Sequence, residues 1–238
     1  MLGVHGSLPL GVHGSLLLGA NDSGSWIWWH WVGTHLDEIR SRLGEHIVLT
    51  LLSVGIGFAI ALPLGIVSHQ WRRLYGPALA VTSGLYTIPS IALFGLMIPT
   101  FGLSRATAVI PLALYTLLLI LRNVVVGFDS VPAEILDAAD GMGYTRLRRL
   151  VQVELPIALP AVVAGLRIAF ASTIGLVTVT ALIGQGGLGR FIIDSQQRDF
   201  RTPLVVGMSL SIALAVAVDL LLVGALRLAT PWSRRRER

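Results

Sequence analysis

Apolar residues along this chain fall into five long blocks that are separated by short polar stretches. Each block is long enough to cross a lipid bilayer as a helix, which takes roughly 20 apolar residues. The pattern therefore predicts an all-α fold, a polytopic membrane helix bundle of about five transmembrane helices, in a domain over residues 47–228. The predicted spans are residues 47–67, 77–98, 107–128, 158–183 and 203–226.

The second block contains a predicted break. Its run 85–90 (LYTIPS) places Pro89 and several polar side chains in the middle of the membrane. Proline has no N–H and disfavours helical geometry at the preceding residue, so we expect a kink. Two interpretations stay open: Tyr86, Pro89 and Ser90 line a translocation path, or the proline only bends the helix.

The sequence predicts a further segment at each end of the membrane domain. Residues 1–46 contain the direct repeat LGVHGSL, then four tryptophans, then a polar stretch over residues 37–45. Tryptophan prefers the headgroup region of a bilayer. We therefore expect an extracytoplasmic or interfacial segment, partly disordered, with an interfacial helix that leads into the first span. Residues 229–238 are predicted to form a basic cytoplasmic tail.

Composition agrees with a membrane protein and excludes several kinds of site. The 238 residues are 54% hydrophobic and 13% charged, with a mean hydropathy of +0.75, which is too apolar for one soluble core. Since there is no cysteine, disulfides and thiolate metal sites are excluded. The net charge of +5 comes from arginines in loops and at the C-terminus, so a nucleic-acid partner is not expected.

The same arginines predict the orientation of the chain. If the C-terminus is cytoplasmic, ten arginines lie on the inner side and six on the outer side. Basic residues accumulate on the cytoplasmic side of membrane proteins. We therefore expect a cytoplasmic C-terminus and, with five spans, an external N-terminus. Arg122 and Arg167 fall toward the inner ends of their spans, where they can snorkel.

The inner loop between the third and fourth spans begins with a predicted short helix. Pro132 suits the first turn of a helix, and Glu134 and Asp137 place negative charge near its positive end. Gly143 can adopt the left-handed conformation that ends such a helix. The alanines at 138–139 leave a low surface for close approach by a partner.

A second short helix is predicted in the rest of this loop. Thr145 can cap its N-terminus, and Pro156 is expected to end it. Its apolar residues fall on one face, while Arg146, Arg148 and Arg149 are expected to stay in solvent. The residues alone also allow a solvated amphipathic connection with no partner.

A glycine-dense loop follows the fourth span at residues 184–189 (GQGGLG). It lacks the Gly-Lys-Ser/Thr of a phosphate-binding loop and lies on the outer side in the predicted orientation. A re-entrant turn or a solute gate fits better, with Gly186, Gly187 and Gly189 as candidate residues.

Asp219 lies well inside the last span, where a charge is unfavourable unless it faces protein or water. One interpretation is a proton or cation site, and the other is a carboxyl bonded across helices. The second is favoured, because the sequence predicts no other ionisable residue near the middle of the membrane.

The inner loop also resembles a known motif. Asp137, two alanines, Gly143, Val153 and the Leu-Pro pair at 155–156 have the spacing of the EAA loop of ABC importer permeases. Asp137 stands where that loop usually has glutamate, and Val153 where it usually has isoleucine. The resemblance implies a permease subunit whose loop folds as a short helix and docks on an ATPase subunit. The implied ATPase-coupling residues are Glu134, Asp137, Ala138, Ala139, Gly143, Leu155 and Pro156.

Residues 85–90 and 181–189 are similar to stretches in the permeases of glycine betaine, carnitine and choline importers. The resemblance implies import of a quaternary-ammonium osmoprotectant, with a methionine-type importer permease as the alternative. It implies the bacterial inner (plasma) membrane and four partners: a cytoplasmic ATPase subunit, a second permease subunit, an extracytoplasmic solute-binding protein and lipid. ATP-Mg would bind the ATPase, so this chain is expected to hold no cofactor, metal or catalytic residue.

Two other functions compete with that of a permease subunit. A self-sufficient secondary transporter needs an ion-coupling site, and only Asp219 favours one. An intramembrane enzyme does not fit, because the six histidines lie outside the predicted spans or at their margins. The sequence also has no HExxH motif, and Asp219 has no second aspartate for a dyad.

Overall fold

The computed structural model of the protein describes residues 26–231, and all regular structure in this part of the chain is helical. The repeat near the N-terminus, the predicted disorder there and most of the basic tail lie outside the described residues. The helices are α1 (Trp29–Thr34), α2 (Leu36–Gln70), α3 (Arg72–Thr87), α4 (Ser90–Phe101), α5 (Arg105–Asp129), α6 (Ala133–Gly141), α7 (Arg146–Arg149), α8 (Leu155–Val179), α9 (Gly189–Arg198) and α10 (Arg201–Ala229). A π turn (Leu150–Glu154) joins α7 to α8, and a 3-10 turn (Thr180–Ile183) follows α8.

The helix lengths confirm a bundle of about five spans. Among the described residues, four helical stretches are long and apolar enough to cross a membrane, and the bent pair α3–α4 makes a fifth. The four are Leu36–Gln70, Arg105–Asp129, Arg146–Ile183 and Arg201–Ala229.

The second predicted span is broken into α3 and α4, which meet at 92°. Ile88, the residue before Pro89, has extended geometry (φ −67°, ψ 129°), as expected for a residue that precedes proline. The Tyr115 hydroxyl of α5 donates a 2.6 Å hydrogen bond to the Ile88 carbonyl. A broken helix is tolerated at membrane depth when a neighbour satisfies the freed backbone groups in this way.

The bent pair carries the chain back across the bundle, because α2 and α5 run in the same direction. His69 near the C-terminal end of α2 bonds Asp129 at the C-terminal end of α5. Leu49, nearer the opposite end of α2, packs in one cluster with Ala108 and Val109 at the start of α5. The chain must therefore return between them, so α3 and α4 together form a crossing.

The core of the bundle lies between α2, α5 and α8, with α5 at the centre. Small residues let these helices approach closely. A Cβ atom on Gly65 of α2 would lie 2.5 Å from Val124 of α5, and one on Gly165 of α8 would lie 2.6 Å from Asn123. The apolar helices therefore pack closely because they carry glycines at their points of contact.

The helix that was expected to lead into the first span is continuous with it. The polar stretch 37–45 forms the first turns of α2, which continues without a break to Gln70. Trp31 of α1 packs edge-on against Phe191 and Phe200, with ring centroids 6.0 and 5.9 Å away. The tryptophan-rich segment is therefore anchored on α9 and the start of α10. The boundary placed at residue 46 falls within one helix.

Candidate functional site

The helix predicted at the start of the inner loop is α6, and its ends follow the residue types. Pro132 is extended and directly precedes the helix, and Glu134 lies in the first turn. Gly143 has a φ of +78°, in the left-handed region that favours glycine. The Tyr144 N–H donates to the Ala139 carbonyl at 3.1 Å, which helps to close the end of the helix. α6 is thus a short, defined element between α5 and α7.

The two alanines of the motif have different surroundings. Ala138 is exposed, as are Glu134, Asp137 and Gly143. Ala139 is 1% exposed and therefore buried within this chain. The prediction that both alanines form an open surface holds for Ala138 and is wrong for Ala139. A partner that approaches α6 from outside would meet the carboxylates and Ala138.

The second short helix begins as predicted but does not end at Pro156. The Thr145 hydroxyl accepts a 3.4 Å hydrogen bond from the Arg148 N–H, which caps α7. The chain then passes through the π turn directly into α8, and Pro156 lies in the first turn of α8. Proline suits the first turn of an α-helix, because its fixed φ is already helical. Leu155 packs against the central core.

Arg149 is bonded within the chain, so the expectation that it stays in solvent is wrong. Its Nη1 bonds the Asp140 carboxylate of α6, and its Nε donates a 2.9 Å hydrogen bond to Glu154 of the π turn. Arg148 matches the prediction: it is exposed, stacks on the Tyr144 ring at 4.4 Å and bonds Gln152 at 3.0 Å.

A second charged cluster lies where α5 ends and the segment to α6 begins. Asp129 accepts hydrogen bonds from His69 Nδ1 at 2.6 Å and from Arg72 Nη1 at 2.8 Å, which ties α5 to the corner between α2 and α3. A cleft of about 520 Å³ separates this corner from the other cluster. The lining residues are His69, Gln70, Trp71, Asp140, Arg146, Arg149 and Glu154. Charged contacts therefore hold both ends of the segment that carries α6: those of Asp129 before the helix and those of Arg149 after it.

The candidate path residues lie at the break between α3 and α4. Tyr86 and Pro89 are exposed within this chain, and Ser90 is partly exposed at the start of α4. The Tyr86 ring meets the Tyr115 ring edge-on, with centroids 5.7 Å apart. The break between α3 and α4 therefore has a defined structure, and Tyr86 lies on its surface.

The glycine-dense loop is packed against the chain itself. Gly186 and Gly187 have φ values of +118° and +47°, and both are buried. A Cβ atom on Gly187 would lie 2.6 Å from the Arg42 carbonyl of α2, and one on Gly189 would lie 2.2 Å from the Thr178 carbonyl of α8. These glycines allow close backbone approach, and a role in gating stays a prediction.

Sequence reasoning missed the partner of Asp219. Arg167 of α8 binds the Asp219 carboxylate of α10 through two hydrogen bonds, Nε at 2.6 Å and Nη2 at 2.9 Å. The expectation that no second ionisable residue is available was wrong, and the interpretation of a carboxyl bonded across helices is confirmed. The sequence did contain a signal for this pair: one positively and one negatively charged residue lie at interior positions of adjacent spans.

Comparison with known proteins gives the family of the chain. Residues 53–230 match the family described as "Binding-protein-dependent transport system inner membrane component". The chain is similar to the osmoprotectant import permease protein OsmW of Salmonella typhimurium, with 38% identity over 81% of this chain and 92% of that protein. It is also similar to two Bacillus subtilis proteins. The choline transport system permease protein OpuBB is 31% identical over 85% of this chain and 94% of its own length. The glycine betaine/carnitine/choline transport system permease protein OpuCB is 30% identical over 83% and 91%.

The fold is shared with a solved transporter. A chain in a structure of the MetNI methionine ABC transporter, in an inward-facing conformation, superimposes with a TM-score of 0.72 at 22% identity. The likeness covers 83% of this chain and 98% of that one. At this identity the likeness establishes the helix arrangement and leaves the solute open. The chain therefore belongs to the binding-protein-dependent transport system inner membrane components and is the permease subunit of an ABC importer.

Proposed function

We propose that this permease imports a quaternary-ammonium osmolyte such as glycine betaine, carnitine or choline. The observation that carries the proposal is the similarity, at 30–38% identity and along most of the chain, to permeases named for these solutes. A methionine permease is the second candidate. It is favoured only by the shared fold with the methionine transporter at 22% identity.

The proposal assigns energy coupling to α6. ATP-Mg would bind a separate cytoplasmic ATPase subunit, and this subunit would dock on the exposed face of α6 that presents Glu134, Asp137 and Ala138. Glu134, the acidic residue in the first turn, also stabilises the helix through its dipole. The charged contacts of Arg149 with Asp140 and Glu154 connect α6 to the start of α8, so a movement of the docked subunit would reach the bundle.

The proposal also sets the orientation and the remaining partners. α6 and the α2–α3 corner lie at the same end of the bundle, since His69 and Arg72 both bond Asp129. We assign this arginine-rich end to the cytoplasm of a bacterial cell and the end with α9 to the outside. A second permease subunit would cover part of the apolar surface that this chain leaves exposed. A separate solute-binding protein would deliver the osmolyte on the α9 side.

Uptake by cells tests the solute. A strain that lacks this permease and the same strain carrying it are given labelled glycine betaine, carnitine, choline and methionine, one at a time, at high osmolarity. The proposal expects permease-dependent uptake of at least one quaternary amine and no change in methionine uptake. Restored uptake of methionine alone would reject the osmolyte in favour of the second candidate.

Purification in mild detergent from the native cell tests the partners. The proposal expects an ATPase subunit and a second permease subunit, either another copy of this chain or a sister subunit, in fixed stoichiometry with this chain. A permease that purifies without any ATPase, yet supports uptake, would contradict the assigned coupling.

A further inference from the structure

We propose that Arg149 is the positioning residue that transmits movement of α6 to α8. This inference rests on the proposed function, since it takes α6 as the docking site of the ATPase. Arg149 bonds Asp140 near the C-terminal end of α6 and Glu154 at the end of the π turn. One guanidinium group therefore bonds to α6 on one side and to the base of a membrane span on the other.

Packing alone attaches α6 only lightly to the rest of the chain. Ala139 is the one buried residue of this nine-residue helix. The main contacts of α6 are with α7 and the π turn, the two elements that hold Arg149 and Glu154. The Arg149 contacts therefore supply much of the connection through which α6 can act on α8.

The π turn explains how Arg149 reaches Glu154. In an α-helix, residues five positions apart point about 140° away from each other around the axis. A π turn bonds each residue to the fifth one along, so residues at this spacing lie nearly above one another. The turn over Leu150–Glu154 thus brings Glu154 to 2.9 Å from the Arg149 Nε. Isolated π turns are often found at functional sites.

The two bonds of Arg149 differ in their exposure to solvent. The side chain of Glu154 is 6% exposed, whereas that of Asp140 is 53% exposed. A buried carboxylate depends on its charge partner much more than a half-exposed one does. Arg149 is therefore fixed to the base of α8 and reaches outward to α6. A displacement of α6 would pull on Arg149 and, through it, on the start of α8.

α8 can carry this displacement across the membrane. It runs 25 residues from Leu155 to Val179 and is followed by the turn that leads to the glycine-dense loop. At that far end, Gly187 contacts the backbone of α2 and Gly189 contacts Thr178 of α8 itself. A shift at the Arg149 end would therefore change the packing of this loop on α2.

The test measures ATP hydrolysis and solute uptake together. The complete complex, with permease, ATPase and binding protein, is reconstituted in proteoliposomes with labelled glycine betaine, carnitine or choline, whichever the unaltered complex takes up. We expect the Arg149→Gln complex to assemble and hydrolyse ATP, while the solute moved per ATP falls several-fold, because movement of α6 no longer reaches α8 through Arg149. Arg149→Lys keeps the charge but lacks the planar fork that bonds two carboxylates, so its ratio should be intermediate.

Arg148→Gln is the matched control, because Arg148 lies on the same helix and bonds Gln152 rather than Asp140 or Glu154. The solute moved per ATP by the Arg148→Gln complex should equal that of the unaltered complex. If Arg149→Gln does not insert because Glu154 is left buried without a partner, Arg149→Met combined with Glu154→Gln removes both charges. This double variant should assemble and show the same low ratio.

An unchanged ratio in an assembled Arg149→Gln or double variant would overturn the inference, as would an equal loss in Arg148→Gln. These outcomes differ from a failure of the proposed function. In that case the unaltered complex itself would show no ATP-dependent uptake of glycine betaine, carnitine or choline.

Discussion

At the residue scale, the pair formed by Arg167 and Asp219 shows how this chain places charge inside its spans. The two residues are 52 positions apart and join α8 to α10 through a two-bond contact. Their side chains are 40% and 41% exposed within this chain, so other groups outside it complete their surroundings. Opposite charges that meet in this way avoid an isolated charge in the membrane.

Removing one member of this pair should therefore destabilise the protein more than removing both. We expect Asp219→Asn to lower the abundance of the permease in the membrane and its thermal stability in detergent, because Arg167 loses its partner. Arg167→Leu combined with Asp219→Leu should restore much of both. Asp194→Asn, on α9 outside the spans, is the control. Equal abundance of Asp219→Asn and Asp194→Asn would contradict this account of the pair.

The two alanines of α6 give a second prediction at this scale. Ala138 is exposed and Ala139 is buried. A cysteine at Ala138 should therefore react with a crosslinker and join to the ATPase subunit, whereas one at Ala139 should react slowly or not at all. Crosslinking is followed on gels of membranes that contain the assembled complex. Faster crosslinking from position 139 would show that α6 presents its other face.

At the scale of elements, the sequence predicted those features that depend on one or a few neighbouring residues. Pro132, Glu134 and Gly143 define the ends of α6, and Pro89 marks the break between α3 and α4. Features that depend on residues distant in sequence were missed. Arg149 meets Asp140 nine positions back, and Arg167 meets Asp219 in another span. No helical periodicity relates such pairs.

Pro156 was expected to end a helix, but it lies in the first turn of one. Proline ends a helix when its missing N–H and its ring disturb the turn before it. Here a π turn precedes α8, so the proline falls in a first turn where it is tolerated. The five-residue π turn has no composition that sets it apart from an α-helix, so the continuous path from α7 to α8 was not predictable.

Gly143, which ends α6, gives a test of the coupling role of this helix. Gly143 has positive φ and open space around its α-carbon, and it lies outside the membrane-spanning segments. Gly143→Trp should leave the amount of permease in the membrane near normal, yet weaken ATPase docking and abolish uptake. Gly76→Trp, a position on α3 with open space around its α-carbon, is the control for bulk alone. Retained ATP-driven uptake by Gly143→Trp would reject the coupling role of α6.

At the scale of the whole molecule, the parallel course of α2 and α5 fixes which ends of the helices lie together. α6, the α2–α3 corner and the end of α10 share one end of the bundle, and α9 lies at the other. The broken pair α3–α4 is what makes this arrangement possible, because it returns the chain between two parallel helices. The arginine count supports our proposal that the α6 end is cytoplasmic.

Cysteine labelling tests this assignment directly. Gly141, on α6, and Gln197, on α9, are both exposed. In intact cells with a permeable outer layer, a membrane-impermeant thiol reagent should label Gln197→Cys, whereas Gly141→Cys should be labelled only after the inner face is opened. The chain has no cysteine of its own, so the background is low. Labelling of both positions from the same side would overturn the predicted number of crossings.

Reconstitution tests whether this permease imports a quaternary amine with energy from a separate ATPase. The complex of permease, ATPase and binding protein is placed in proteoliposomes with labelled glycine betaine, carnitine and choline in turn, with ATP or without it, and with the ATPase included or omitted. We expect accumulation only when ATP and the ATPase are both present. Accumulation without the ATPase, driven by an ion gradient, would show that the protein is a self-sufficient secondary transporter.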